Sequence, residues 1–188
     1  TNENKKIVLN MIDEISKETV LSNDTFFGGN GLFTSNYLNK PSFYAYKLLS
    51  LLGENIVYRG EGYVVTESEF GFQILLFNPP TIDESILYGK EVQEKLRARK
   101  YSLNIYNMEG DFQITKYDFN RKFGSVYDKW ISLGSPERID NDHWELLDEY
   151  VHPNVSFYYG KKSTVFNVVT TVAPNGAVLF TLNSVLNS

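Results

Sequence analysis

The sequence predicts a mainly β protein: an antiparallel β-sandwich preceded by a helical segment. Three observations predict it. Aromatic residues make up 15% of the chain, with 13 Tyr and 13 Phe, and such side chains fit a pleated, half-buried surface. The hydrophobic period changes from helical to two at Gly53. Beyond that point, turn-forming residues interrupt the apolar runs at short intervals. The expected division is a loop-and-helix segment over 1–53 and a sandwich over 54–188.

Val8, Met11, Ile12 and Ile15 stand at helical spacing, so 5–17 reads as a short helix or irregular loop. Residues 18–36 are polar and glycine-rich and read as loop. A firm helix follows from Ser42 to Leu52, with Pro41 near its first turn, where a missing N–H does no harm. Ala45, Leu48, Leu49 and Leu52 form its apolar stripe, and Gly53 is expected to stop it in a left-handed conformation. "NIVYRGEGYVVTES" and "FGFQILLFNPP" read as strands, with Gly60, Gly62 and Gly71 at bulges or turns. Residues 83–100 read as a helix along Tyr88, Val92 and Leu96. "YSLNIYN" and "DFQITKYDFN" return to strands. Val126, Trp130 and Leu133 mark a short helix that should bury Trp130. Asp140 or Asn141 caps another, containing Trp144, Leu147 and Tyr150. Three more strands end the chain, the last two joined by a Pro174-Asn175-Gly176 turn with a positive φ at the glycine.

Composition excludes several functions. The net charge of −5 argues against generic affinity for nucleic acid or an anionic membrane. No apolar run is long enough for a spanning helix. Cysteine is absent, which removes disulfides and thiolate chemistry and fits a cytoplasmic setting. The start, without an initiator Met, reads as a piece of a longer protein.

The residues offer no self-contained catalytic constellation. Sugar hydrolysis needs two opposed carboxylates, whereas Asp13-Glu14 are neighbours and Asp140, Asp142 and Glu145 look like a solvated helix cap. His143 and His152, without cysteine, make a poor metal site. The glycines of "FFGGNGL" lack the lysine and helix start of a phosphate loop and read as a tight turn. Lys95, Arg97, Arg99 and Lys100 read as a solvated helix face. Aromatics at period two read as sandwich core rather than a sugar-stacking platform. No cofactor or metal is expected.

Two stretches carry a resemblance. "FFGGNGLFTSNYLNKPSFYAYKLLSLLG", residues 26–53, resembles the end of the catalytic barrel in glycoside hydrolase family 39, the β-xylosidase family. There a Phe-His-Gly-Gly-x-Gly-Leu turn leads through a Lys-Pro step into the last barrel helix. Phe27 stands where that family often has His. "NRKFGSVYDKWISLGSP", residues 120–136, is similar to a segment of the family's accessory β-sandwich, with Phe123 for the usual His and Leu133 for the usual Met. "GYVVTES" and "FQILLFN" resemble the first accessory strands.

The resemblance implies the last helical unit of a TIM barrel followed by the accessory sandwich. It places the family's catalytic glutamates on earlier strands without counterpart here, so no catalytic residue is assigned. It also implies that Asp13, Glu14, Phe26 and Phe27 face a sugar. The same module occurs in AraC-type transcription regulators, to which "FGSVYDKW" looks closer. Three readings follow: the sugar-sensing part of such a regulator, the tail of a β-xylosidase, or a stand-alone carbohydrate-binding sandwich. The implied partners are the missing N-terminal portion of the same protein, a small sugar and a second copy. A second copy would cover Phe43, Tyr44 and Leu51, expected to be exposed.

Overall fold

The computed structural model describes residues 31–34, 37–79, 97–106, 110–161 and 165–185. The helix or loop expected over 5–17 and most of the 83–100 helix lie outside these residues. The described elements are α1 (Pro41–Ser50), β1 (Asn55–Gly60), β2 (Tyr63–Ser68), β3 (Gly71–Asn78), β4 (Arg99–Tyr106) and β5 (Phe112–Phe119). They continue with α2 (Val126–Ser132), α3 (Asn141–Tyr150), β6 (Asn154–Gly160), β7 (Val165–Val172) and β8 (Gly176–Ser184). The fold is the expected mainly β, antiparallel sandwich with a helix before it. Arg99 and Lys100 open β4 rather than sit on a helix.

Two compact units interleave along the chain. One comprises Leu48–Arg121 and Pro153–Ser188 and holds β1 to β8. The other holds the described residues up to Lys47 together with Lys122–His152.

In the strand unit, six strands form one sheet in the order β1-β2-β3-β8-β5-β6, and β4 pairs with β7 in a second. All pairings are antiparallel. Ile74, Leu76, Val178, Phe180 and Leu182 point to one face of the larger sheet and pack with Ile114 and Phe112 into the core. Tyr101, Leu103 and Ile105 of β4 and Phe166 and Val168 of β7 close that core from the other side. The alternate residues of the same central strands, Leu75 and Leu179, face away and pack against Leu48 at the end of α1. Strands buried on both faces read as continuous apolar runs, which is why "QILLF" and "AVLF" scarcely alternate. Asn175 carries the positive φ of the last turn, +56°, and Gly176 N–H donates to Ala173 O at 3.0 Å. Asparagine thus takes the position expected for glycine, as a type II geometry permits.

Gly53 also differs from expectation. Its φ is not in the left-handed region. A Cβ there would lie 2.2 Å from Glu67 O, so close approach to β2 demands the glycine. Its N–H donates to Thr66 Oγ1 at 2.9 Å and to Gln73 Oε1 at 2.8 Å. Thr66 Oγ1 itself donates to Gln73 Oε1, so these two buried polar side chains are satisfied where the chain enters the sheet.

In the helical unit, Tyr44, Val126, Leu147 and Val151 are fully buried. The buried line of α1 therefore runs from Tyr44 to Leu48, not along Ala45 and Leu49, and Leu49 is 47% exposed. Tyr44 is not the uncovered residue expected of it; Phe43 is half-buried beside Phe33, and Leu51 is exposed. Asp140 caps α3 by accepting from His143 N–H at 2.9 Å, the bond an N-cap residue makes to an otherwise orphan donor. Trp130 is half-buried rather than buried. Its ring lies 5.9 Å from that of Tyr127, and Nε1 donates to Pro136 O at 3.1 Å. The same stretch ends α2: Ser135 N–H reaches Trp130 O, Gly134 N–H reaches Ile131 O, and Gly134 has φ +85°. These are the paired bonds of a Schellman stop. They give "WISLGSP" a structural role complete in itself.

Gly53→Ala is expected to destabilise the protein by about 1–3 kcal/mol, the usual cost of an added group in filled space. Urea denaturation measures it. Gly134→Ala tests the other glycine role, because its site is open in space and strained only in φ.

Candidate functional site: an aromatic groove along the edge of β4

Asp13, Glu14, Phe26 and Phe27 lie outside the described residues. The described part of the glycine turn begins at Gly31, whose carbonyl accepts from Ser42 Oγ at 2.9 Å, tying the turn to the first residues of α1. Of the acidic cluster, Asp140 is committed to its helix cap while Asp142 and Glu145 are exposed. Its carboxyl is held below the usual range by the bonds from His143. Among the described residues, no group of three or more His, Cys, Asp and Glu is placed to hold a metal ion.

The two histidines do different work. His143 joins the Asp140 cap through Nδ1 at 2.6 Å. His152 Nδ1 lies 2.6 Å from the buried hydroxyl of Tyr44, and Asn39 Nδ2 donates to that same oxygen at 3.1 Å. Which of the Tyr44 hydroxyl and His152 Nδ1 donates to the other is set by the imidazole tautomer. Burial raises the Tyr44 pKa, the bond from Asn39 lowers it, and the charge of Asp148 raises it further. This network anchors α1 through the buried Tyr44, while His152 is exposed.

The open concavity lies in the strand unit. A cavity of about 700 Å³ runs beside β4, floored by Tyr63 and Val65 of β2, Phe72 and Ile74 of β3, and Leu182 of β8. That volume falls within the range of ligand and peptide sites. Its wall is unusual: six consecutive residues, Tyr101 to Tyr106, line it. Alternate residues of a strand point to opposite faces, so a cavity touching all six follows the edge of β4. A smaller cavity of about 350 Å³ follows the opposite edge of the same sheet, along Phe166 to Thr170 of β7.

The outer rim is built by a bulge. Ile56 pairs with Thr66 and Tyr58 with Val65, leaving Val57 as the extra residue. The extra residue turns Tyr58 onto the same face as Val65, so that Val57 and Tyr58 both line the cavity. Bulges commonly re-aim side chains in this way. Without it, Tyr58 would point to the other face. Tyr101 braces the inner end: its hydroxyl lies 3.1 Å from Gly62 O and 3.0 Å from Phe77 O. Arg99 pairs with Glu61 at 3.1 Å, an exposed bridge of small energetic weight.

Sequence reasoning missed this site because it assigned the strand aromatics to core. Tyr58 and Tyr106 are 68% and 63% exposed. One signal was present: Ile56, Val57 and Tyr58 are three apolar residues in a row, which breaks a period of two. Among the described residues no carboxylate lines it, and glycoside hydrolysis needs two.

Comparison with solved structures gives a likeness of fold. The chain aligns with the GH39 enzyme from Xanthomonas axonopodis pv. citri at 18% identity and a TM-score of 0.70, over 87% of this chain and 34% of that one. A monomeric β-xylosidase from Caulobacter crescentus CB15 aligns at 20% identity and a TM-score of 0.70, over 88% and 35%. A bacterial orthologue of human α-L-iduronidase aligns at 12% identity and a TM-score of 0.58, over 80% and 28%.

The shared fold is that of the C-terminal part of GH39 enzymes.

The chain spans about a third of the length of the first two. No family model matches it. Enzymes named for different activities share this fold, so the fold does not name a substrate. No helix among the described residues is long and apolar enough to cross a membrane.

Tyr44→Phe tests the buried anchor through pH. A phenol whose pKa is raised on folding supports stability fully below its unfolded value, about 10, and loses that support as pH rises through the folded one. The variant loses two hydrogen bonds at pH 8, a cost of about 1–3 kcal/mol. The gap between variant and wild type is expected to narrow above about pH 10, as measured by denaturant melts across pH 8–11.

Proposed function

We infer that this chain is a non-catalytic C-terminal module of a family-39-like glycoside-hydrolase protein. In this reading, residues 1–53 are the tail of the barrel and residues 54–188 its accessory sandwich. The observation that carries it is the fold match: nearly all of this chain against about a third of each hydrolase. The groove, lined by no carboxylate among the described residues, supports a role in binding or support rather than bond cleavage. The parent protein would supply the opposed glutamates and the sugar site, with Asp13, Glu14, Phe26 and Phe27 at its edge. A small sugar and a second copy of the chain belong to this reading as partners of the parent, and the cytoplasm as its setting.

A second reading makes the parent an AraC-type regulator in which the same module supports sugar sensing. It rests on Gly124-Ser125 and Tyr127-Asp128 at the start of α2. There Ser125 Oγ donates to Asp128 Oδ2 at 2.8 Å, so these residues serve a helix start in either parent. The solved structures named above are hydrolases, which favours the first reading.

The experiment is an aryl β-xyloside assay on the full-length polypeptide and on this chain alone. The chain alone is expected to be silent. Activity in the full-length protein supports a hydrolase parent. An inactive full-length protein with a DNA-binding domain supports the regulator. Turnover by the purified chain, lost on Glu14→Gln, overturns the non-catalytic reading.

A further inference from the structure

We propose that the smaller cavity, between β6 and β7, is a binding site for a short neutral sugar. The proposal goes beyond the reading above and stands whether the parent is a hydrolase or a regulator.

The walls are aromatic. The cavity measures about 350 Å³, at the small end of the range for ligand sites. Phe166, Val168 and Thr170 share one face of β7, and Phe166 and Val168 turn that face to the core. Tyr158 pairs with Ile114 on the inward face of β6, and Tyr159 follows it on this outermost strand of the larger sheet. Both tyrosines line the cavity with Phe166, over Ile114 and Phe180. Tyr159 is 80% exposed and Tyr158 48%. Edge strands commonly carry charged side chains against self-association, but β6 carries none and presents rings instead. A ring with an apolar body and a polar tip suits a partner that is apolar on one side and wet on the other. A pyranose is such a partner, with C–H groups on its faces and hydroxyls around its rim.

The polar groups decide the chemistry. Thr170 is only 6% exposed and lines the cavity, and among the described residues its hydroxyl has no hydrogen-bond partner. Buried hydroxyls are normally paired, so this one is left for a ligand. Asn167, exposed on the same lining, adds an amide that both donates and accepts. Lys116 stands at an inward position of β5, opposite Phe180, among otherwise apolar neighbours. Its ammonium lies 3.2 Å from Asp118 Oδ2, and Asn120 Nδ2 donates to Asp118 Oδ1 at 2.9 Å. The carboxylate balances the lysine's charge and leaves the ammonium with donors to spare. A phosphate would meet a cation already neutralised. Neutral hydroxyls match the amine, the amide and the threonine without needing a charge.

Calorimetric titration of the full-length polypeptide with cellobiose, with S-linked xylobiose, which resists hydrolysis, and with inorganic phosphate tests this. Saturable binding of at least one disaccharide and none of phosphate is the expected result. Tyr159→Ala and Asn167→Ala, both at exposed positions, are each expected to weaken it about five- to tenfold, as loss of a stacked ring or of one hydrogen bond does. Thr170→Val separates binding from folding. It keeps the shape and removes an unpaired buried hydroxyl, so it is expected to raise the urea midpoint of the sugar-free protein while weakening the sugar by a similar factor. Unchanged affinity in Thr170→Val means that the hydroxyl meets only water, and overturns the proposal. So does binding of neither disaccharide, tighter binding of phosphate, or sugar binding indifferent to Tyr159→Ala and Asn167→Ala.

Discussion

Burial of β3 and β8 on both faces is the constraint on which the strand unit depends. Ile74, Leu76, Val178 and Phe180 fill the space between the sheets, while Leu75 and Leu179, one residue along, are covered by Leu48 on the other side. Burying a Leu or Ile side chain contributes about 1.5–3 kcal/mol. A central strand pair used twice therefore outweighs any edge pairing. The outer strands follow from it: β1 is exposed at every residue and β6 at most of them. Gly53 belongs to the same constraint. Leu48 reaches the outer face only if the chain turns tightly past Glu67, and any side chain at 53 would obstruct that turn.

The unequal sheets explain where the surface is open. Among the described strands, two over six leave a flank on each side, and a cavity lies along each edge of the smaller sheet. The two flanks differ. Beside β4, the Val57 bulge brings Tyr58 into the rim and Tyr101 ties the wall to the floor. Beside β7 the lining includes Lys116, Tyr158 and Tyr159, and the cavity is half as large. The larger groove is built by local devices that the sheet itself does not need.

The sandwich was legible in the sequence because its signals are local. The change of period at Gly53, the turn glycines and the uninterrupted "QILLF" run each act within a few residues. The Asp140 cap was legible for the same reason. What escaped depends on distant partners. Tyr44 was read as exposed because its hydroxyl partner, His152, lies 108 residues away, and a helix stripe cannot foresee it. Trp130 was read as core because its spacing fits, but the Schellman stop brings Pro136 back to its indole nitrogen and leaves the ring half-buried. The groove escaped because burial patterns cannot tell how many strands the opposite sheet supplies. The residues implied by family resemblance, Asp13, Glu14, Phe26 and Phe27, lie outside the described structure and stay with the proposed parent.

The central claim is that, within the strand unit, Leu48 covers the outer face of β3 and β8. A double-mutant cycle on Leu48→Ala and Leu179→Ala measures it. The two side chains pack in one cluster with Leu75, so each single change is expected to cost about 2–5 kcal/mol. The pair is expected to couple by about 0.5–3 kcal/mol, as residues in contact do. Strictly additive losses, or a Leu179→Ala cost below about 1 kcal/mol, would mean that Leu48 does not close the outer face and would contradict the account.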